Sequence, residues 1–207
     1  MKAAEDLVEE VVPLAGRDLS LLRPHNSDEL LNEEAFVHEE FLPYWAELWP
    51  TSRQLAAAVA GRSLHGARTL ELGCGLGLGS IAAALAGGRV TATDWAPYAV
   101  EFAARNARRN GLQVEGLLCD WAHPEPIVER APWDLVIGSD LLYERRNLPL
   151  LTDLLPRLVD KSGEVLIADP GRPLEEAFLE DAGKRFDVSS LQLSERPRVR
   201  MHRLRLL

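Results

Sequence analysis

The stretch Glu71–Gly79 reads ELGCGLGLG and has a glycine at every second position from residue 73. Residues 68–72 before it have the apolar pattern of a buried strand, and residues 80–86 after it form a short helical pattern. Glycines at such a junction let the backbone turn tightly and let a ligand approach it closely. A dinucleotide fingerprint does not fit, because Leu78 and Ser80 stand where its third glycine is needed. We therefore expect a ligand-binding loop in an α/β sheet, with a purely structural turn as the alternative.

Strands and helices alternate along the rest of the chain. Further strands are predicted at 89–94, 114–120, 133–140 and 164–169, helices at 97–110, 147–159 and 174–183, and two antiparallel strands at the C-terminus. This alternation is typical of a parallel sheet with helices on both faces. The capping-box spacing of Thr51–Gln54 predicts the start of a helix that ends at Gly61. Residues 1–40 are expected to form a helical arm, within an N-terminal segment, 1–48, that packs on a main domain, 49–207.

The negative charge of the chain lies near its N-terminus. Residues 1–48 contain 12 acidic and 3 basic side chains, whereas residues 49–207 contain 20 of each. The acidic segment is either a solvated surface or a rim that attracts a cationic partner. Nucleic acid is not an expected partner, because phosphate binding needs basic patches. We also expect no membrane span and no export signal.

The cysteines and histidines carry little chemistry in this sequence. Cys74 and Cys119 lie on predicted strands that flank a third one, too far apart for a disulfide, so both are expected to be reduced in a cytoplasmic monomer. The histidines are scattered without ligand spacing, and no metal site is predicted.

Three acidic residues end three successive predicted strands. They are Glu71, Asp94 and Asp120, and the carboxyl ends of parallel strands are where open α/β sheets bind ligands. A carboxylate at Asp94 suits ribose hydroxyls, and Asp120 followed by Trp121 suits the amine and ring face of adenine. Trp95 flanks the adenine or packs in the core. Each residue alone also fits a helix cap or a solvated turn.

Several motifs together resemble a known family. Glu71-x-Gly73-x-Gly75-x-Gly77 is similar to the acidic glycine loop of S-adenosylmethionine (SAM) methyltransferases, in which acidic side chains suit the ammonium and sulfonium of the ligand. YWAELWP at 44–50, CDW at 119–121 and the DxxY motif Asp140–Tyr143 follow in the order found in the seven-strand (class I) methyltransferases. Within these, the chain resembles the METTL21 and electron-transfer-flavoprotein-β lysine methyltransferase group, and ADPGRP at 168–173 is similar to its flavoprotein branch.

The resemblance implies a Rossmann-like, doubly wound sheet of strand order 3-2-1-4-5-7-6 whose last strand is antiparallel. It also implies SAM as the cofactor, S-adenosylhomocysteine as the product, and a lysine of a protein as the substrate. The side chains and loop positions expected at the cofactor are Trp49, Glu71, Gly73, Cys74, Gly75, Gly77, Asp94, Trp95, Asp120, Trp121 and Ser139. Asp140 and Tyr143 are expected to face the substrate, with Asp140 positioning the amine rather than acting as a strong base.

Two alternatives stay open at this point. One is a methyltransferase for a small-molecule amine or pyridine, and the other is a module that binds SAM or a nucleotide without turnover. The aromatic residues of the stretch 41–50 are expected to have two different roles. Phe41, Tyr44 and Trp45 are expected to pack the N-terminal arm on the sheet, whereas Trp49 offers a cation–π surface to a sulfonium.

Overall fold

The computed structural model describes residues 6–26 and 43–207, in which a seven-stranded sheet is the central element. The strands of this sheet are β3 (Arg68–Leu72), β4 (Arg89–Asp94), β5 (Glu115–Leu118), β6 (Leu135–Ser139), β7 (Glu164–Asp169), β8 (Phe186–Glu195) and β9 (Arg198–Leu206). The helices are α1 (Pro50–Ala60), α2 (Leu78–Leu85), α3 (Pro97–Arg109), α4 (Glu125–Val128), α5 (Asn147–Leu158) and α6 (Glu175–Ala182). A short 3-10 turn, Tyr44–Ala46, precedes α1.

The strand order confirms the predicted topology. The order across the sheet is β5-β4-β3-β6-β7-β9-β8, which is 3-2-1-4-5-7-6 when β3 is counted as the first strand. β9 runs antiparallel to both of its neighbours, and the strands from β3 to β7 pair in parallel. The central strands β3, β6 and β7 are buried along nearly their whole length, as expected for a sheet covered by helices on both faces.

The prediction of an N-terminal helical arm is wrong for the residues that the structure describes. β1 (Leu7–Leu14) and β2 (Arg17–Pro24) form an antiparallel hairpin. Ala15 and Gly16, the two residues between the strands, both have positive φ, which is the conformation of a type I′ turn. Burial alternates along much of the hairpin, which is the period-two pattern of strands and not the pattern of the predicted helix.

Two asparagines of α3 and its C-terminal cap fasten the hairpin to this helix. Asn106 on α3 accepts a hydrogen bond from Leu22 N at 2.8 Å and donates from Nδ2 to Leu22 O at 3.1 Å. Asn110 makes the same pair of bonds with the backbone of Ser20. Asn106 Nδ2 also lies 3.0 Å from the carbonyl oxygen of Leu76, which it reaches as a donor. The hairpin is therefore joined through one side chain to the glycine loop after β3.

Helix α1 does not begin with the predicted capping box. It starts at Pro50 with Trp49 as the N-cap residue, and no side chain caps its first turn. Proline suits the first position of a helix, because its fixed φ is helical and its missing N–H would be unpaired there. Thr51 is therefore free for another contact: its side chain is buried towards Asp140. The predicted end of this helix at Gly61 is confirmed.

Three arginines of the C-terminal strand β9 pair with carboxylates of other elements. β9 lies inside the sheet, between β7 and β8. Arg200 pairs with Glu175, and Arg203 and Arg205 pair with Glu164. Three of the four arginines of this strand thus have acidic partners within the fold.

Candidate active site

A cavity of about 770 Å³ opens at the carboxyl ends of the parallel strands. The loops after β3, β4, β5 and β6 line it, together with the segment that precedes α1. Of the residues predicted at the cofactor or substrate, those that line the cavity are Trp49, Glu71, Gly73, Cys74, Gly75, Asp94, Trp95, Asp120, Trp121, Ser139, Asp140 and Tyr143. The structure therefore brings together nearly all of the candidates at the edge of the sheet where the strand-end argument places them.

The glycine loop needs its glycines for both conformation and space. Gly73, Gly75 and Gly77 all have positive φ, a region that other L-residues enter only at a cost. A Cβ on Gly73 would lie 2.8 Å from Leu141 Cδ2, and one on Gly77 would lie 2.6 Å from Ala103 Cα. Gly77 is not among the residues that line the cavity. Its place in the site is therefore indirect, since it lets the loop turn against α3.

Glu71 serves the start of helix α2 from inside the fold. Its Oε2 accepts hydrogen bonds from Ser80 N at 2.7 Å and from Ser80 Oγ at 2.5 Å. Burial raises the pKa of Glu71 to about 8, against the opposite effect of these bonds from Ser80. The bond from Ser80 N satisfies one of the amides in the first turn of α2 that have no partner within the helix. Its position in the cavity wall is thus combined with a structural role.

Asp94 holds the glycine loop in place. Its Oδ2 accepts from Gly75 N at 3.1 Å and its Oδ1 from Ala96 N at 3.0 Å. Burial raises the pKa of Asp94 to about 6, and the hydrogen bonds from the backbone of Ala96, Gly75 and Trp95 act against that rise. Each carboxylate oxygen can accept a further bond, so Asp94 can organise the loop and still face a hydroxyl-bearing ligand.

The loop after β5 contributes a carboxylate and a ring. Asp120 is exposed, and its Oδ1 accepts from Ala122 N at 2.9 Å. Trp121 is half-buried, and its ring edge approaches Gly73. Trp95, after β4, is 39% exposed, so its ring faces the cavity rather than the core. This end of the cavity offers aromatic surface next to a solvated acceptor.

Asp140 forms an ion pair with Arg172, a residue that the sequence motifs do not predict at the site. Arg172 Nη2 lies 2.5 Å from Asp140 Oδ1, and its Nε lies 3.8 Å from Asp169 Oδ2. Burial raises the pKa of Asp140, while the Arg172 guanidinium and the nearby Thr51 hydroxyl lower it. Asp140 also has a positive φ, 59°, at the end of β6. The signal for Arg172 was present in ADPGRP, but its partner lies 32 residues away in the sequence.

The segment before α1 forms an aromatic wall, in which Tyr44 is exposed at the cavity rather than packed, whereas Trp45 packs on α3 as expected and also lines the cavity. Both residues line the cavity. The Tyr44 ring meets Trp49 edge-on at 6.2 Å and Tyr143 at 5.5 Å between centroids. Trp45 stacks on Tyr98 of α3, so this wall is fixed to the main sheet. Phe41 lies outside the described residues.

Tyr143 combines this wall with the DxxY motif. It is 39% exposed, and burial of its hydroxyl end raises the pKa of Tyr143 to about 12. The phenol therefore stays protonated over the physiological range and can donate or accept a hydrogen bond.

Both cysteines are free and buried. Burial raises the pKa of the Cys74 thiol well above its usual range and that of Cys119 to about 11, which makes both poor nucleophiles. In residues 6–26 and 43–207, no group of three or more His, Cys, Asp or Glu side chains is arranged to hold a metal ion, and no helix is long and apolar enough to cross a membrane.

Residues 46–185 match the protein family described as lysine methyltransferase, which covers more than half of the chain. The chain belongs to the lysine methyltransferase family. The family predicted from the motifs is thereby confirmed, and the matched region contains every predicted site residue.

Curated relatives agree with this lysine methyltransferase assignment. The electron transfer flavoprotein beta subunit lysine methyltransferase of Xenopus laevis is 35% identical over 63% of the chain and 53% of its own length. The protein N-lysine methyltransferase METTL21A of Danio rerio is 32% identical over 68% of the chain and 66% of its own length. The chain thus spans less than two thirds of each of these relatives.

Solved structures confirm the fold alone. The 16S rRNA N2 G1207 methyltransferase of T. thermophilus, solved with AdoMet and guanosine, superposes with a TM-score of 0.70 at 14% identity. The superposition covers 98% of the present chain and 51% of the T. thermophilus chain.

Because Glu71 is buried with a raised pKa, we predict that the stability of this methyltransferase family member depends on pH. A carboxyl whose pKa is higher in the folded state takes up a proton on folding, so its contribution to stability is complete below its unfolded pKa and is lost as the pH rises through its folded pKa. For Glu71 these values are 4.5 and about 8. Glu71→Gln cannot lose the proton, so the Tm of the variant minus that of the wild type should rise by roughly 5 °C or more between pH 5 and pH 9.

The measurement is thermal unfolding across this pH range, with Glu176→Gln at an exposed site of α6 as the control. Any constant effect of the new amide cancels, because only the change with pH is compared. A temperature difference that is flat with pH would show that Glu71 is ionised in the folded protein.

Proposed function

We propose that this chain is a SAM-dependent N-methyltransferase that methylates a lysine side chain of a protein. The observation that carries the proposal is a single cavity that joins a glycine loop and strand-end carboxylates to an aspartate and a tyrosine of a DxxY motif. The first set suits a nucleoside with a cationic tail, and the second suits an amine. The family and both relatives described above point to the same reaction class.

The residues present suit the cofactor. Gly73 and Gly75 form part of the cavity wall, and a Cβ would meet Leu141 Cδ2 at 2.8 Å from the first and Trp45 O at 3.1 Å from the second. Asp94 is available to ribose hydroxyls, Asp120 and Trp121 to adenine, and Trp49 lies in the wall of the cavity. Glu71, Cys74, Trp95 and Ser139 complete the lining, and Gly77 supports the loop from behind. When bound, SAM supplies a methyl group on a sulfonium, so the leaving group needs no acid.

The chain itself must then position an amine and exclude water from it. Alignment of this kind accounts for up to roughly 7–11 kcal/mol of a reaction barrier. Asp140 accepts a hydrogen bond from the amine, and Tyr143 forms a wall or a second hydrogen-bond partner beside it. A lysine must reach this place unprotonated, although its reference pKa is about 10.4. Burial in the cavity favours the loss of that proton.

The decisive experiment uses SAM labelled in its methyl group and host extract separated by gel filtration into protein and small molecules. The wild type is expected to transfer label to lysine of a protein in the first fraction. Label only in small molecules would replace the proposed substrate by a free amine or pyridine. Calorimetry with SAM, S-adenosylhomocysteine and NAD tests the cofactor that both methyltransferase hypotheses require. Binding of NAD without binding of SAM would rule out methyl transfer as the function.

The finer assignments form part of the same proposal. Residues 49–207 are the catalytic domain, and residues 1–48 are an acidic segment that packs on it. The protein acts as a cytoplasmic monomer, has no nucleic-acid partner, and meets its substrate protein at the aromatic mouth of the cavity. The two free, buried cysteines support a reducing compartment.

A further inference from the structure

Asp140 and Arg172 form an ion pair in the wall of the cavity, although they lie on different loops. The side chains are 11% and 25% exposed, respectively. The two loops are tied together, because Asp140 N donates to Ala168 O at 3.0 Å. Arg172 is fixed in turn by Asp169, whose Oδ1 accepts from Gly171 N at 2.7 Å and from Arg172 N at 2.6 Å. The guanidinium is therefore placed at Asp140 by the backbone.

This pair is set in a small group of charges. Arg172 faces two carboxylates, Asp140 at hydrogen-bond distance and Asp169 at 3.8 Å. Within the described chain, Asp140 Oδ2, Asp169 Oδ2 and Arg172 Nε are buried without a hydrogen-bond partner. The other polar groups that face Asp140 are the Thr51 hydroxyl from α1 and, further along the cavity wall, Tyr143, Glu144 and Arg146.

We propose that Arg172 is a positioning residue that neutralises Asp140, so that the lysine amine binds there in its uncharged, nucleophilic form. The inference rests on the proposed function. A carboxylate without a partner would favour the ammonium, whose nitrogen has no lone pair for the reaction. A guanidinium bonded to that carboxylate offsets its charge and leaves it able to accept a hydrogen bond from a neutral amine. The same argument applies to any amine acceptor.

Removing the positive charge has a kinetic signature that a structural defect does not share. The bound ammonium becomes more stable, so the acceptor binds more tightly in an unreactive form, and kcat and KM fall together. The ratio kcat/KM does not fall with them, because the positive charge passes from sulfur to nitrogen during the transfer, and the unpaired carboxylate stabilises that developing charge as it does the ammonium. The pH at which kcat reaches half of its maximum rises by on the order of one pH unit.

Three substitutions separate charge from shape. Arg172→Lys keeps the charge, Arg172→Gln keeps hydrogen-bond donors without the charge, and Arg172→Met keeps only apolar volume. We expect the lysine variant to retain the pH profile of the wild type. The glutamine and methionine variants are expected to be about tenfold slower near pH 7.5, with a similar fall in the half-saturating acceptor concentration, and to recover at higher pH.

The test measures label transfer from SAM to a dilution series of gel-filtered extract protein between about pH 6.5 and pH 10, which spans the titration of lysine. Thermal unfolding and SAM calorimetry select the variants that fold, and the glutamine variant gives the answer if the methionine variant does not. Neutral variants with the kcat, KM and pH profile of the wild type would overturn the inference. So would a lysine variant as slow as the methionine variant at every pH.

The proposed function is tested separately by the wild type. If wild-type enzyme labels only the small-molecule fraction, the protein-lysine assignment fails, and the comparison of variants is made on that amine instead. If it labels neither fraction while binding SAM, both the function and the role of Arg172 are overturned.

Discussion

Replacing Asp140 by alanine is expected to reduce methyl transfer by about 10²–10⁴-fold, the range found when a positioned group at a reacting centre is removed. Affinity for SAM should change little, because all of the proposed cofactor residues except Ser139 lie on the loops after β3, β4 and β5 or before α1. Two effects combine in this variant. The amine loses its hydrogen-bond acceptor, and Arg172 is left with an unpaired positive charge that disfavours the charge developing on the amine nitrogen during the transfer.

The backbone at Asp140 requires a second variant. Its φ of 59° is left-handed, a conformation that alanine adopts at a cost of roughly 1–2 kcal/mol, whereas asparagine tolerates it better. Asp140→Asn should therefore keep the Tm of the wild type more closely than Asp140→Ala. It also keeps an oxygen for the Arg172 guanidinium while losing the carboxylate charge. A slow asparagine variant with normal unfolding and normal SAM binding would assign the loss of activity to the charge.

The control is Asp187→Ala, an exposed aspartate on β8 that lies outside the cavity wall. It should transfer label at the rate of the wild type. If Asp140→Ala does the same with extract protein as the acceptor, Asp140 has no part in the reaction. Loss of SAM affinity in parallel with the rate would instead move Asp140 into the cofactor site.

Most of the fold was predictable because its central strands carry local signals. RTLEL, RVTATD and EVLIAD are short apolar runs, each followed by a turn, and the structure places strands at these residues. The order of those strands came from the family resemblance. The N-terminal hairpin was missed because its glutamates suit an exposed helix face as well as an exposed strand face. What distinguishes a hairpin from a helix here is the positive φ of Ala15 and Gly16 and the burial of Leu19 and Leu21. Both are visible only in the folded structure.

The site was predictable to the extent that topology determines it. Asp94, Asp120 and Asp140 end parallel strands, so one sheet edge brings them to one cavity. Arg172 could not be assigned, since its role depends on a turn at Asp169 that aims it at another loop. The sequence does not show that Tyr44 and Trp45 line the cavity, because an aromatic side chain suits a packed core and the wall of a ligand site equally well.

The second large effect is expected at Gly77, which lies outside the cavity wall. Gly77→Ala combines a left-handed φ of 84° with a Cβ that would lie 2.6 Å from Ala103 Cα, a backbone atom that cannot rotate away. Together these should destabilise the protein by about 3 kcal/mol or more, which lowers the Tm by roughly 6–12 °C in a chain of this size. SAM affinity should fall as well, because the backbone of Gly77 holds the loop at the helix. Gly77 N donates a hydrogen bond to Cys74 O, and Gly77 O accepts one from Ile81 N.

Gly111→Ala is the matched control for this substitution. Gly111 also has a positive φ, 74°, but a Cβ there would meet no atom within 4 Å. It should cost only about 1–2 kcal/mol from backbone strain and leave SAM affinity unchanged. Adding Ala103→Gly to Gly77→Ala should restore part of the stability, since it removes the contact with Ala103 Cβ at 2.7 Å and leaves the one with Cα. Equal effects of the alanines at 77 and 111 would show that φ alone sets the requirement for glycine, and that the loop does not depend on its close approach to α3.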